Sequence, residues 1–120
     1  MSLRICYEGL GGNYDEAIGR LRSERLVQKF VLKFLTDGSH SDLVAALKAK
    51  DGPAAFRAAH TLKGICLNLS FDRLYASSNR LCEALRSGWT DEAPALAEAV
   101  EADYRITIAA IRLLKAEVEG

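Results

Sequence analysis

Apolar residues recur along almost the whole chain at helical spacing, and no stretch of strand length alternates with period two. Leu26, Val27, Phe30, Val31, Phe34 and Leu35 make one strong stripe, which predicts a helix whose aliphatic and aromatic face is core and not a cofactor box. Ala55, Ala59, Leu62, Cys66 and Leu69 follow a 4-3-4-3 spacing and predict a second helix from about Pro53 to Leu69, its narrow seam turned toward other helices. A third runs from about Phe71 to Arg86 on Leu74, Tyr75 or Ala76, Leu81, Cys82 and Leu85. The last and longest opens at Thr90-Asp91-Glu92 and carries Ala95, Leu96, Ala99, Tyr104, Ile106, Ile108, Ile111 and Leu114, with Pro94 harmless in its first turn. Ala17 and Leu21 mark a short N-terminal helix placed to cover one end of a bundle.

The polar positions punctuate this pattern. Gly11-Gly12-Asn13 is a turn, and Asn13 followed by Glu16 reads as a capping box. Ser23 caps the next helix, with Glu24 in the first turn where a negative charge suits the dipole. Asp37-Gly38-Ser39-His40-Ser41-Asp42 reads as a break, with Ser41 capping a further helix from Asp42 to Lys50. Asp51-Gly52-Pro53 is a turn that leads into proline at the first helical position. Ser70 is placed to cap the third helix and Gly88 to end it. Residues 1–12 read as irregular or partly cloning-derived, Met1-Ser2-Leu3 and Glu119-Gly120 being the candidate remnants. Short connections favour antiparallel neighbours. The expectation is an all-α, antiparallel up-down four-helix bundle with an additional short N-terminal helix, as a single domain over residues 1–120.

Composition narrows the function. Apolar residues at 49% and charged residues at 27% are the balance of a soluble globular domain, and 120 residues suffice to bury about two thirds of the unfolded surface. Sixteen acidic and sixteen basic side chains cancel, so no global field attracts nucleic acid or an anionic membrane. No apolar run has the length of a membrane span and no signal peptide is evident, which points to the cytoplasm. Cys6, Cys66 and Cys82 are odd in number and lack metal-ligand spacing, and Cys66 lies on the seam as a small apolar residue. No metal site is expected.

Chemistry concentrates in Ala58-Ala59-His60-Thr61-Leu62-Lys63-Gly64. At about 100° per residue, His60 lies roughly 160° from the middle of the seam and points outward, among Phe56, Lys63, Gly64 and Leu67. Alone, an outward histidine reads as a solvated side chain. Gly64 alters that reading, because a glycine inside a helix costs roughly 1 kcal/mol relative to alanine and here serves no turn or cap. It removes bulk one turn beyond the ring. Phe56 and Leu67 are apolar on the face turned from the seam, which suits a partner surface together with Gly64. A neutral imidazole nitrogen is a good nucleophile near neutral pH. Lys63, one turn on, can meet an incoming anionic group with its ammonium; at 4 Å and an effective dielectric of about 20 the gross attraction is about 4 kcal/mol, which exposure cuts to about 1. That steadies the group without trapping it. His40, in the polar break, reads as solvated.

These residues carry a resemblance. His60-Thr61-Leu62-Lys63-Gly64 resembles the H-x-L-K-G signature of histidine-containing phosphotransfer (HPt) domains, with Ala58-Ala59 before it and Asn68-Leu69 after. Leu81 to Gly88 is similar to the family's helix end, and Gly11 to Leu35 to its opening segment. Ser70-Phe71 stands where the family often has Gly-Ala. The family usually has one long helix from the equivalent of Glu24 to that of Lys50, so the polar stretch at 37–42 is expected to kink or interrupt it. The resemblance implies His60 as phosphoacceptor and Lys63 as its stabilising cation. It further implies receiver domains or a hybrid sensor kinase as partners, with Mg²⁺ and the aspartate supplied by the receiver and no cofactor in this chain.

Two rivals remain in view. A metal-bearing bundle enzyme would use inward Glu-x-x-His pairs, and neither histidine has a glutamate three residues before it. A non-transferring helical-bundle interaction module would keep the fold without the chemistry, yet the histidine is present. No phosphate-binding glycine loop accompanies it, so the expected role is a phosphocarrier without its own ATP site.

Overall fold

The seam is the axis of the structure: Ala55, Ala59, Leu62, Cys66 and Leu69 are all buried. The computed structural model of the chain describes residues 2–120. Among them are seven α-helices, one 3-10 turn and no strand. The helices are α1 (Ser2–Leu10), α2 (Tyr14–Leu21), α3 (Glu24–Lys33), α4 (Ser39–Lys48), α5 (Gly52–Leu69), α6 (Asp72–Leu85) and α7 (Ala93–Glu119), with the 3-10 turn at Phe34–Thr36.

The bundle follows from short connections. α4 packs on α5, α5 on α6 and α6 on α7, while α3 and its 3-10 turn pack on α5 and α7. The broken α3–α4 rod thus fills the first corner of the expected four-helix bundle. Its break is decided by Asp37, whose extended backbone (ψ 135°) stops the 3-10 turn. The Asp37 carboxylate then accepts from the backbone N–H and the hydroxyl of Ser39. The second segment therefore starts at Ser39 and ends at Lys48, not at Asp42 and Lys50, and Ser41 donates its hydroxyl to the Gly38 carbonyl instead of capping.

Within residues 1–12, expected to be irregular, Ser2–Leu10 form the helix α1. Leu3, Cys6, Tyr7 and Leu10 line one face of α1 and are buried, α1 lying along α7. Ser2 donates to Glu117 at 2.5 Å, and Glu119 closes α7 with an ion pair to Lys115 at 3.6 Å, so Ser2, Leu3 and Glu119 belong to helices and not to loose tails. Met1 lies outside the described residues. The short helix expected at the N-terminus is α2, opened by Asn13, which accepts from Glu16 N–H at 3.0 Å. The capping box is only half made, because the Glu16 carboxylate turns instead to Ser70 and Arg20.

The α5–α6 turn departs furthest from expectation. Ser70 does not cap α6. It ends α5 in the left-handed conformation (φ 57°, ψ 42°), which favours glycine. The strain is offset by partners from α2: the Ser70 hydroxyl donates to Glu16 at 2.7 Å and accepts from Arg20 at 2.8 Å. Phe71 follows, fully buried between Tyr7 (ring centroids 5.7 Å) and Phe34 (5.4 Å, perpendicular). Of the α3 stripe, Val27, Val31 and Phe34 are buried, whereas Leu26 and Phe30 remain about 40% exposed. Ala76 and Ile106 are likewise exposed, and Ser77, Ser78, Val100 and Thr107 take inner positions. Leu62, with no exposed surface, is the central seam residue; truncation to alanine would cost about 2–5 kcal/mol.

Candidate functional site

α5 is held at both ends. Asp51 accepts from Ala54 N–H at 3.1 Å, and Pro53 occupies the first turn. Gly52 is required by close approach, since a Cβ there would meet the Trp89 backbone nitrogen at 2.5 Å. At the far end, Arg20 donates to the carbonyls of Leu67 (2.8 Å) and Asn68 (3.1 Å), placing a cation at the negative end of the helix. The middle of α5 is thereby a rigid platform.

His60 stands exposed on its outer face. Gly64, one turn on, has open space where a Cβ would go, with nothing beyond its chain neighbours and its own helix backbone within 4 Å. Leu67 is 52% exposed beyond it. Phe56, one turn before, is half-buried and packs on the core, and its ring stacks beside the imidazole at 5.9 Å and 24° between planes. The Arg86 guanidinium lies 5.3 Å from the centre of the Phe56 ring.

Lys63 is not a freely solvated charge. Its side chain is only 18% exposed; its ammonium donates to Asn79 Oδ1 at 3.1 Å and lies 3.8 Å from Glu83 Oε2. Glu83 in turn accepts from Arg86 Nε at 3.3 Å and from Nη2 at 2.5 Å. The hydrogen bond from Arg86 is the main cause that holds the Glu83 carboxyl below its ordinary 4.5; the charges of Arg86, Lys63 and His60 act in the same direction. The Lys63 ammonium and the Arg86 guanidinium are therefore both tethered to one carboxylate on α6, and Arg86 lies against the Phe56 ring that stacks beside the outward imidazole. Such an arrangement offers a nucleophile open to solvent and cations that favour an anionic group beside it.

All five residues singled out in the sequence, Phe56, His60, Lys63, Gly64 and Leu67, fall on this one face of α5. Asn79, Arg86 and Arg20 were missed, since they reach the site only through helix packing; the one local signal was the i, i+3 spacing of Glu83 and Arg86. His40 is corrected. It is not solvated: its side chain is 14% exposed, Nε2 lies 3.0 Å from Glu101 Oε1, and the ring stacks on Tyr104 at 3.6 Å and 8°.

Among the described residues, no group of three or more His, Cys, Asp or Glu side chains is placed to hold a metal ion. None of their helices is long and apolar enough to cross a membrane. Burial pushes the Cys6 thiol up to about 11 and raises Cys66 and Cys82 as well, away from nucleophilic chemistry. A family model described as the Hpt domain matches residues 30–119. No curated protein and no solved structure matches the chain.

Proposed function

The chain belongs to the Hpt domain family, and from that premise we propose that it carries a phosphoryl group on His60 between the aspartates of receiver domains in a phosphorelay. Hpt domains are phosphocarriers of histidine phosphotransfer, and the observation that carries the assignment to this residue is the exposed His60 beside the unobstructed Gly64. In the forward step a neutral ring nitrogen attacks the phosphorus of an aspartyl phosphate. The N–P bond forms as the acyl P–O bond breaks, the carboxylate leaves, and the other ring nitrogen keeps its proton. Lys63 supplies the cation that steadies the dianionic group that results. The second receiver reverses the step with its own aspartate. Mg²⁺ belongs to the receivers, which are free-standing or part of a hybrid sensor kinase, and the compartment is the cytoplasm.

The test is direct. Mixed with a phosphorylated receiver, the wild type gains acid-labile, base-stable phosphate, and His60→Gln gains none. Radiolabelled ATP and Mg²⁺ alone leave the protein unlabelled, because the chain brings no nucleotide-phosphate loop. Undiminished label on His60→Gln would overturn the assignment, and strong histidine-dependent labelling from ATP would overturn the carrier role.

A further inference from the structure

We infer that Phe56 is a positioning residue that holds the His60 imidazole in one orientation, and that the Glu83–Arg86 pair at the C-terminal end of α6 holds Phe56. The inference rests on the phosphotransfer reading of His60 and assigns what keeps its ring aligned.

Among the described residues no hydrogen bond or ion pair engages the His60 ring. An exposed imidazole inside a helix samples two staggered wells at χ1, the third clashing with the preceding turn, and two broad ones at χ2. Phe56 sits at i−4, the spacing at which side chains meet on a helix. Its ring centre is 5.9 Å from that of His60, within the range of offset aromatic pairs. Phe56 is itself anchored by packing against the core, and the Arg86 guanidinium at 5.3 Å adds a cation–π contact. Arg86 is fixed in turn by two hydrogen bonds to Glu83. Glu83 Oε2 also lies 3.8 Å from Lys63. The chain of contacts His60–Phe56–Arg86–Glu83–Lys63 therefore leaves α5, crosses to α6 and returns one turn beyond where it began. It aligns the nucleophile and its neighbouring cation through a single carboxylate. In-line transfer needs the ring nitrogen aimed at phosphorus, and alignment acts on the rate inside the complex, not on formation of the complex.

Two readouts separate this role from simple docking. Wild-type protein shows NOEs between the Phe56 and His60 rings and ring-current-shifted imidazole protons. Both weaken in Glu83→Gln and Arg86→Gln, which retain both rings and exposed positions. In single-turnover transfer with the receiver domain that labels the chain fastest, Phe56→Leu lowers the rate constant at saturation about twofold to fourfold, up to the number of ring orientations released. The Kd for the unphosphorylated receiver changes less than the rate constant, because leucine keeps an apolar side chain at this half-buried position of the partner surface, and Phe56→Tyr restores the rate. If Phe56→Leu fails to fold by thermal melting, Arg86→Gln carries the kinetic test, with a loss of about twofold to threefold, part of the same orientational freedom. A weaker Kd with the saturated rate retained would make Phe56 a docking residue and overturn the inference. So would a wild type without inter-ring NOEs. If His60 takes no label from any receiver, the relay reading fails instead, while the NMR readout still judges the stack.

Discussion

The two histidines of this chain sit in opposite surroundings. His60, on the outer face of α5, is exposed, without a hydrogen-bond partner among the described residues, and stacked only loosely beside Phe56. His40, at the start of α4, is wedged between α4 and α7, bonded to Glu101 and stacked flat on Tyr104. One ring is presented and the other is spent on structure. On the proposed reading, an imidazole alone does not make a phosphoryl carrier. A carrier needs an open approach and a cation near the developing charge, and both are properties of the face on which the ring lies.

Exchanging the roles of the two rings is the strongest way to break this comparison. His60→Gln should abolish receiver-dependent labelling, whereas His40→Gln should retain it, as read from phosphate on the protein after mixing with a phosphorylated receiver. Label that follows His40 would refute the distinction outright. Next in size is Gly64→Gln. Its position is open, so the variant should fold and melt like the wild type, yet transfer should slow at least tenfold, about 1.4 kcal/mol in the barrier. Phosphoramidate, which needs no docking surface, should be far less affected. Wild-type transfer rates in Gly64→Gln would move the docking face elsewhere.

Stability should reverse the ranking of the histidines. His40→Ala loses a charge-assisted bond and a stacked ring in a partly exposed setting, for a cost of about 1–2 kcal/mol. His60→Ala should stay within about 0.5 kcal/mol of wild type. Urea denaturation at neutral pH checks both, and equal losses would show that His40 does no more structural work than His60.

The smallest effect is the pH dependence of that same contact. The hydrogen bond from Arg105, aided by the charge and hydrogen bond of His40, holds the Glu101 carboxyl below its ordinary 4.5. A depressed folded value means that its stabilisation is complete above 4.5 and is lost as pH falls through the folded value. The stability gap between wild type and His40→Gln should therefore narrow on acidification below 4.5, as measured by urea melts across that range. A gap that widens there would show that Glu101 does not carry the pairing.

Much of this was legible in the residues themselves. Helical periodicity gave the class, and the seam of α5 was readable because a 4-3-4-3 spacing fixes which side of a helix is buried. The same arithmetic put His60, Lys63, Gly64, Phe56 and Leu67 on the opposite side. The His-x-Leu-Lys-Gly run then pointed to the chemistry. All of these depend on residues within a few positions of one another, where backbone geometry dictates direction.

What lay beyond reach was decided between elements. α1 was read as irregular because nine residues with a short apolar face look like a tail until α7 is beside them to bury Leu3, Tyr7 and Leu10. Ser70 looked like a helix cap by type, but the Glu16 and Arg20 side chains that let it end α5 in the left-handed region come from α2, about fifty residues earlier. His40 looked solvated in its polar run, and only the packing of the first corner against α7 brings Glu101 and Tyr104 to it. At the site, Asn79 meets Lys63 and Arg86 meets Phe56 because α6 docks on α5. Local sequence sets the direction in which each side chain leaves its helix; what it meets there is fixed by the tertiary packing that brings distant helices into contact.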